Sequence, residues 1–332
     1  MNIIVPMAGL GKRLRPHTLS TPKPLFPIAG KTIVQRLVED IANIYQGDIQ
    51  EVAFVVGKFG TEVEDNLLSI AASLGATGKI FYQEEALGTA HAIWCARECL
   101  VGETIIAFAD TLFRADFSVD KSKDGVIWVH PVENPRNFGV VTLDNTGNIE
   151  QFVEKPENFV SDLAIIGIYY IKDGDTLKKE IQYLLDNKVL NKGEYQLTDA
   201  LENLKSKGYK FGPGVVTAWM DCGNKEAVLD TNQKVLTFDK KSVCISPNAK
   251  LTNCVIIEPC FVGKDVEIQD SVIGPYVSIE AGTNIHNAVI KNSIIREKSQ
   301  VNGLFLQDSI VGRHTCAAKD PGVLNLGDHT SL

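Results

Sequence analysis

The sequence predicts an α/β domain with a Rossmann-like mixed sheet over residues 1–238, a left-handed parallel β-helix over 239–316 and a tail over 317–332. Three observations carry this. From residue 1 to about 110, apolar runs of strand length alternate with helical stretches, the grammar of a largely parallel sheet wrapped on both faces. From 125 to 171, strands follow one another directly. From about 240 onward, aliphatic residues recur every five or six positions, with Gly, Asn, Pro and Asp between them. Neither the helical nor the strand period explains that last spacing. A hexapeptide period does, with three flat sides per coil and one inward aliphatic on each.

The first strand is Asn2–Val5, and a helix over Thr32–Tyr45 carries Ile33, Leu37, Ile41 and Ile44 at helical spacing. Strands follow at Val52–Val56, Ile80–Gln83 and Thr104–Ala109, separated by helices at Val63–Leu74 and Thr89–Leu100. Gly125–His130, Val140–Leu143, Ile149–Glu154 and Leu163–Ile171 form the strand-rich section, with Asp144–Asn148 as a hairpin turn. Helices over about 174–187 and 196–207, a strand at Val215–Met220 and a helix at Lys225–Leu236 close the domain. The inward aliphatics of the repeat are Ile245, Leu251, Ile257, Val262, Ile268, Ile273, Ile279, Ile285, Ile290, Ile295, Val301, Leu306 and Val311. So short a solenoid is expected to bury one side against the α/β domain or another subunit, and a homo-oligomer is the expected assembly.

Composition narrows the function. The chain has 332 residues, 44% hydrophobic, with 33 basic and 41 acidic side chains and a formal charge of -8. An acidic balance without basic–aromatic repeats argues against nucleic acid as a partner. No apolar run is long enough for a membrane span and no leader precedes the first strand, so a cytoplasmic protein is expected. Seven cysteines (95, 99, 222, 244, 254, 260 and 316) are odd in number and scattered, which suits reduced thiols rather than a zinc site or disulfide framework. The six histidines (17, 91, 130, 286, 314 and 329) show no metal spacing.

Against that acidic background the amino-terminal stretch is cationic. Lys12, Arg13, Arg15, Lys23, Lys31 and Arg36 precede the first acid, Glu39. Gly9 and Gly11 follow a strand, where glycine lets the backbone turn tightly and offer bare N–H groups to an anion. Pro16, Pro22, Pro24 and Pro27 stiffen what is otherwise a long loop. The stretch is not a Walker A loop, since Arg13 follows Gly11-Lys12, nor a dinucleotide fingerprint, since position 14 is Leu14. Local anion binding is the chemistry it suits. Asp110 directly follows the strand that ends at Ala109, and Asp221 follows Val215–Met220. A carboxylate at a strand's carboxyl end suits Mg²⁺, although either aspartate is also placed to cap a turn or helix.

Gly9-Leu10-Gly11-Lys12-Arg13-Leu14-Arg15-Pro16, with Thr18 and then Pro22-Lys23-Pro24-Leu25, resembles the signature of the sugar-1-phosphate nucleotidyltransferases. The likeness is to the long form, such as the glucose-1-phosphate thymidylyltransferases that append a hexapeptide-repeat domain. Trp219-x-Asp221-x-Gly223 and Glu154-Lys155-Pro156 after Phe138-Gly139-Val140-Val141 extend it. Three positions depart from the family pattern: Ala8 replaces a glycine, Lys12 a threonine and Asn224 a threonine.

The resemblance implies transfer of a nucleotidyl group from a nucleoside triphosphate, dTTP or UTP, to a sugar 1-phosphate such as glucose 1-phosphate, with Mg²⁺ as cofactor. It implies that Arg13, Lys23 and Lys155 are catalytic and that Asp110 and Asp221 hold the metal. Ala8, Gly9, Gly11, Gln83, Gly88 and Thr89 would bind the nucleotide. Gly139, Glu154, Lys155 and Gly167 would bind the sugar phosphate, with Gly193–Asp199 lining its pocket. Two rivals remain. A bifunctional uridylyltransferase/acetyltransferase would need a base in the repeat, where His286 and His314 are the candidates. A nucleotide-sugar sensor would need no chemistry, yet the charged set is complete.

Overall fold

The computed structural model describes residues 1–9, 11–45, 47–114, 119–239 and 244–319. Most of the tail expected over 317–332 therefore lies outside the described residues. By contacts the chain divides into two compact units, Met1–Phe26 with Thr32–Gly223, and Pro27–Lys31 with Asn224–Leu332. The helix Lys225–Phe238, expected in the first domain, belongs to the second unit.

The first unit is built on a nine-stranded mixed sheet. Its parallel part runs through β1 (Asn2–Pro6), β2 (Glu51–Val56), β3 (Thr77–Tyr82) and β4 (Thr104–Ala107). Helices α1 (Ile33–Tyr45), α2 (Thr61–Ser73) and α3 (Thr89–Cys95) make the crossovers. β1 is buried along its whole length, which accounts for its unbroken apolar run. In α1 the residues Ile33, Leu37 and Ile41 are buried along one stripe. The helix expected over Thr89–Leu100 ends at Cys95. Beyond it the N–H groups of Ala96, Arg97, Cys99 and Leu100 bond three residues back, so the apolar pattern continues in tight turns rather than in an α-helix.

After β4 comes a short strand that no pattern announced, β5 (Thr111–Arg114). β6 (Gly125–Pro131), β7 (Gly139–Leu143), β8 (Ile149–Glu154) and β9 (Leu163–Ile171) then extend the sheet, β9 pairing antiparallel with both β4 and β6. The turn before β8 forms as expected, the Asp144 carboxylate accepting from the N–H groups of Thr146 and Asn148. Helices α4 (Gly174–Asp186) and α5 (Leu197–Ser206) follow.

The single strand expected at Val215–Met220 is two. β10 (Phe211–Val215) lies parallel to β6 in the large sheet, while β11 (Ala218–Asp221) pairs antiparallel with β5. Gly212, Pro213 and Gly214 are poor strand formers that hide β10 in the sequence, and pairing supplies what propensity lacks.

In the second unit three ladders of short parallel strands form the faces of a parallel β-helix, as expected of the left-handed form. Ile245, Val262, Ile279, Ile295 and Val311 stack in register on one face, and Leu251, Ile268, Ile285 and Val301 on the next. On the third, Ile256 rather than Ile257 aligns with Ile273, Ile290 and Leu306. Three consecutive aliphatics, Val255-Ile256-Ile257, left the phase ambiguous, and pairing to the next rung settles it, leaving Ile257 43% exposed. Many corners are turned by Asn and Asp in the left-handed region, Asn253, Asp265, Asp270, Asn287, Asn292 and Asp308 having φ between 40° and 55°.

Helix α6 (Lys225–Phe238) belongs to this unit through Asn232, which is fully buried. Its side-chain oxygen accepts from the Ser278 hydroxyl at 2.7 Å and the Ala29 N–H at 3.2 Å. At Gly30, φ is 81° and a Cβ would stand 2.3 Å from the Phe261 ring, so only glycine fits.

Candidate active site

The carboxyl ends of β1, β3 and β4 open on a cleft of about 570 Å³. Its wall includes Ala8, Gly9, Gly11, Lys12, Arg13 and Lys23 from the amino-terminal loop. Gln83, Gly88, Thr89, Phe108, Asp110, Glu194 and Gly223 complete the part that concerns charge and recognition. The loop is stiff for local reasons. Gly11 has φ 56°, and a Cβ there would approach Lys23 Cβ to 2.9 Å and Thr18 Cγ2 to 3.2 Å. The Thr18 hydroxyl closes it by donating to the Gly11 carbonyl at 2.8 Å. Short 3₁₀ turns at Lys12–Leu14 and Lys23–Leu25 carry Arg13 and Lys23.

The two aspartates, far apart in sequence, meet through the β5–β11 ribbon. Thr111 pairs with Asp221, and the Cys222 N–H donates to the Asp110 carbonyl at 3.0 Å. Trp219 fastens the ribbon by donating its indole N–H to the Thr111 hydroxyl, and its ring meets Phe138 edge-on at 5.1 Å. Each aspartate has a cation beside it. Lys23 Nζ is 3.2 Å from Asp110 Oδ2. Arg13 Nη2 and the Asp221 carboxylate both crowd Gly223, at 2.9 and 3.0 Å from where a Cβ would stand. Protein packed around the Asp221 carboxyl raises its pKa above the ordinary value, and Asp110 adds to the rise; Lys23, the Gly223 N–H and Arg13 oppose it.

Two hard carboxylates at adjoining strand ends are a donor set that suits Mg²⁺, which keeps most of its positions for water and phosphate oxygens. Among the described residues no group of three or more His, Cys, Asp or Glu side chains could hold a metal ion, so a cation here would lean on substrate oxygens.

The sugar-phosphate candidates form a second cluster that does not line this cleft. A Cβ at Gly139 would sit 3.1 Å from Glu154 Oε2, which also accepts from the Thr198 hydroxyl at 3.1 Å. Lys155 Nζ lies 3.6 Å from Glu154 Oε1, its backbone at φ 44°. Lys192, outside the sequence-derived set, donates to the Lys155 carbonyl. Phe108 and Tyr169 stand between the clusters: the Gly167 carbonyl accepts from the Phe108 N–H, and the Phe108 and Tyr169 rings meet edge-on at 6.2 Å. The Tyr169 phenol is pushed far up by burial, with Glu154 and Asp110 both adding to the rise.

Gly88 has φ 114°, and a Cβ there would lie 2.4 Å from the Tyr195 carbonyl, so Leu87–Ala90 and Gly193–Asp199 are packed backbone to backbone. The Thr89 hydroxyl is committed to this junction, donating to Gln196 Oε1 and accepting from the Leu197 N–H. Its backbone is what remains for a ligand. Thr198 falls within the Gly193–Asp199 run expected at the sugar pocket, whereas Thr111 and Lys192 had no sequence signal, being defined only by partners remote in the chain.

The nucleotidyl transferase family model matches residues 3–237. The chain is 29% identical to a low-salt glycan biosynthesis nucleotidyltransferase of Haloferax volcanii, over 92% of this chain and 90% of that one. It is 28% identical to glucose-1-phosphate thymidylyltransferase of Streptomyces antibioticus, over 100% and 99% of the two. It is 30% identical to the bifunctional protein GlmU of Methanocaldococcus jannaschii, over 95% of this chain and 78% of that protein. A UDP-glucose pyrophosphorylase solved with UDP-glucose shares the fold of 71% of this chain, covering 98% of its own, with TM-score 0.59 and 23% identity. With a match over most of its length and the cleft where that match lies, the chain belongs to the sugar-1-phosphate nucleotidyltransferase family, whose members make nucleotide-sugars.

Proposed function

We propose that the protein condenses dTTP or UTP with a sugar 1-phosphate, glucose 1-phosphate in the first instance, to give a nucleotide-sugar and pyrophosphate. The carrying observation is that Arg13, Lys23 and Asp110 line one cleft whose loops suit a triphosphate, with the Asp221 carboxylate beside its wall at Gly223. A sugar-phosphate oxygen attacks the α-phosphorus in line; the bond from that phosphorus to the bridging oxygen breaks, and pyrophosphate leaves with the electron pair. Both substrates are polyanions, so the task is positioning and charge neutralisation.

In this reading Arg13 holds the departing pyrophosphate by its planar fork, and Lys23 serves phosphate oxygens at the reacting centre. Lys155 takes the sugar phosphate, and Glu154, steadied by Thr198, accepts from sugar hydroxyls. Asp110 and Asp221 hold Mg²⁺, which when bound neutralises phosphate charge. The protein is read as a cytoplasmic homo-oligomer without nucleic-acid or membrane partners; among the described residues no helix is long and apolar enough to cross a membrane.

A panel of four triphosphates against glucose-, mannose-, galactose- and N-acetylglucosamine-1-phosphate, read by pyrophosphate release, tests the reading. Release with dTTP or UTP and glucose 1-phosphate is expected. Asp110→Asn should cut turnover by about two to three orders of magnitude at unchanged melting temperature; undiminished turnover would remove Asp110 from the chemistry.

The likeness to GlmU favours one second reading, in which the β-helix also transfers an acetyl group. His286 lies on an outer face of the coil, 3.5 Å from Asp270 and 3.3 Å from Asn302, where it could act as a base. Thiol release from acetyl-CoA with an amino-sugar phosphate distinguishes the two.

A further inference from the structure

Gln83 directly follows β3 at the cleft wall, and its amide is held in one orientation. Its Nε2 is 3.2 Å from the Gly88 carbonyl and 3.2 Å from His91 Nδ1. A carbonyl only accepts, so the amide atom facing Gly88 is the nitrogen. His91 Nδ1 must then offer its lone pair, with the ring proton on Nε2. The neutral ring this requires is the form favoured here: burial lowers the His91 pKa, and Glu85 opposes it without prevailing.

Neither partner is free to drift. The Gly88 carbonyl also takes the Ala92 N–H in the first turn of α3, and Gly88 is wedged against Tyr195. His91 rides on α3 itself. With the nitrogen held on both sides, the group Gln83 has left for a ligand is its Oε1, an acceptor.

We propose that His91 is a specificity-determining positioning residue: by engaging the Gln83 amide nitrogen it presents Oε1 to the nucleobase. The site then takes a base with an N–H on its pairing edge, as uracil and thymine have at N3. It turns away cytosine, whose N3 is an acceptor and would leave two lone pairs facing each other. This rests on the nucleotidyltransferase reading above, including its choice of dTTP or UTP, and adds to it the residue that orients Gln83.

The test is calorimetric binding of the α,β-methylene analogues of UTP, dTTP and CTP in Mg²⁺, beside pyrophosphate release. Wild-type protein should favour the uracil and thymine analogues over the cytosine one by roughly 10- to 100-fold. His91→Phe fills the space without an acceptor and should narrow that ratio about tenfold, raising KM for the preferred triphosphate while kcat stays within about threefold. His91→Asn, whose Oδ1 can stand in for Nδ1, should restore the ratio. The proposal fails if His91→Phe keeps the ratio, if it weakens all three analogues equally, or if wild-type protein shows no preference. Clear preference without pyrophosphate release would condemn the proposed reaction and leave the role of His91 standing; no binding of any triphosphate would end both.

Discussion

Glu103 shows how much a single carboxylate can organise. It accepts from the Tyr45 hydroxyl, from the Tyr170 hydroxyl at 2.7 Å and from Lys121 Nζ at 3.1 Å, tying α1 to the ends of β4 and β9. Burial pushes its pKa up, but the three donors outweigh that and hold it at about 2, against an ordinary 4.5. A carboxyl depressed on folding contributes stability in full above its unfolded value, and that contribution drains away as pH falls from about 4.5 toward 2. Glu103→Gln should therefore lower the melting temperature at neutral pH, by about 2 kcal/mol of stability, and the gap to wild type should close on acidification across that window. A gap that persists at the acid end would mean the network contributes by shape rather than charge. Tyr45, Lys121 and Tyr170 are widely separated in sequence, so nothing in the chain announced the cluster.

At the level of elements, the β5–β11 ribbon brings the two aspartates together. Trp219 is its fastener, through Thr111 and Phe138. Trp219→Phe keeps an aromatic edge for Phe138 and removes the one hydrogen bond, worth about 1 kcal/mol in isolation. The expected result is a fold of nearly unchanged stability with Mn²⁺ affinity, read by paramagnetic relaxation, weakened several-fold. Equal affinity in wild type and variant would show that the ribbon needs no such clasp.

Asp110 and Asp221 were legible because each closes an apolar run, and Gly11, Lys23 and Arg13 because glycine and positive charge crowd one loop. The ribbon between the aspartates was not legible. β5 is short, and β11 lay hidden inside one apparent strand because Gly212-Pro213-Gly214 disguised β10. In the solenoid the period was plain, yet the phase at Val255-Ile256-Ile257 was not. Periodicity finds the coil, while only the neighbouring rung chooses the inward residue.

Taken as a whole the chain is acidic, yet the cleft is close to neutral. Lys12, Arg13 and Lys23 are matched by Asp110, Asp221 and Glu194 along or beside its wall. Lys23 is 3.2 Å from Asp110, so its charge is spent within the protein until something displaces it. A site so balanced has little pull on a triphosphate until a divalent cation tips it positive. This yields an inversion that a cleft already positive without metal would not show. In excess EDTA, Asp110→Asn removes one negative charge and releases Lys23, so it should bind the non-hydrolysable triphosphate several-fold more tightly than wild type. In Mg²⁺ the order should reverse, because the variant has lost a metal ligand while wild type gains the cation's two charges. Calorimetry of both proteins under both conditions reads the four affinities directly. If Asp110→Asn binds more weakly than wild type in EDTA as well, then Lys23 is not held back by Asp110, and the cleft draws its phosphate affinity from the loop alone.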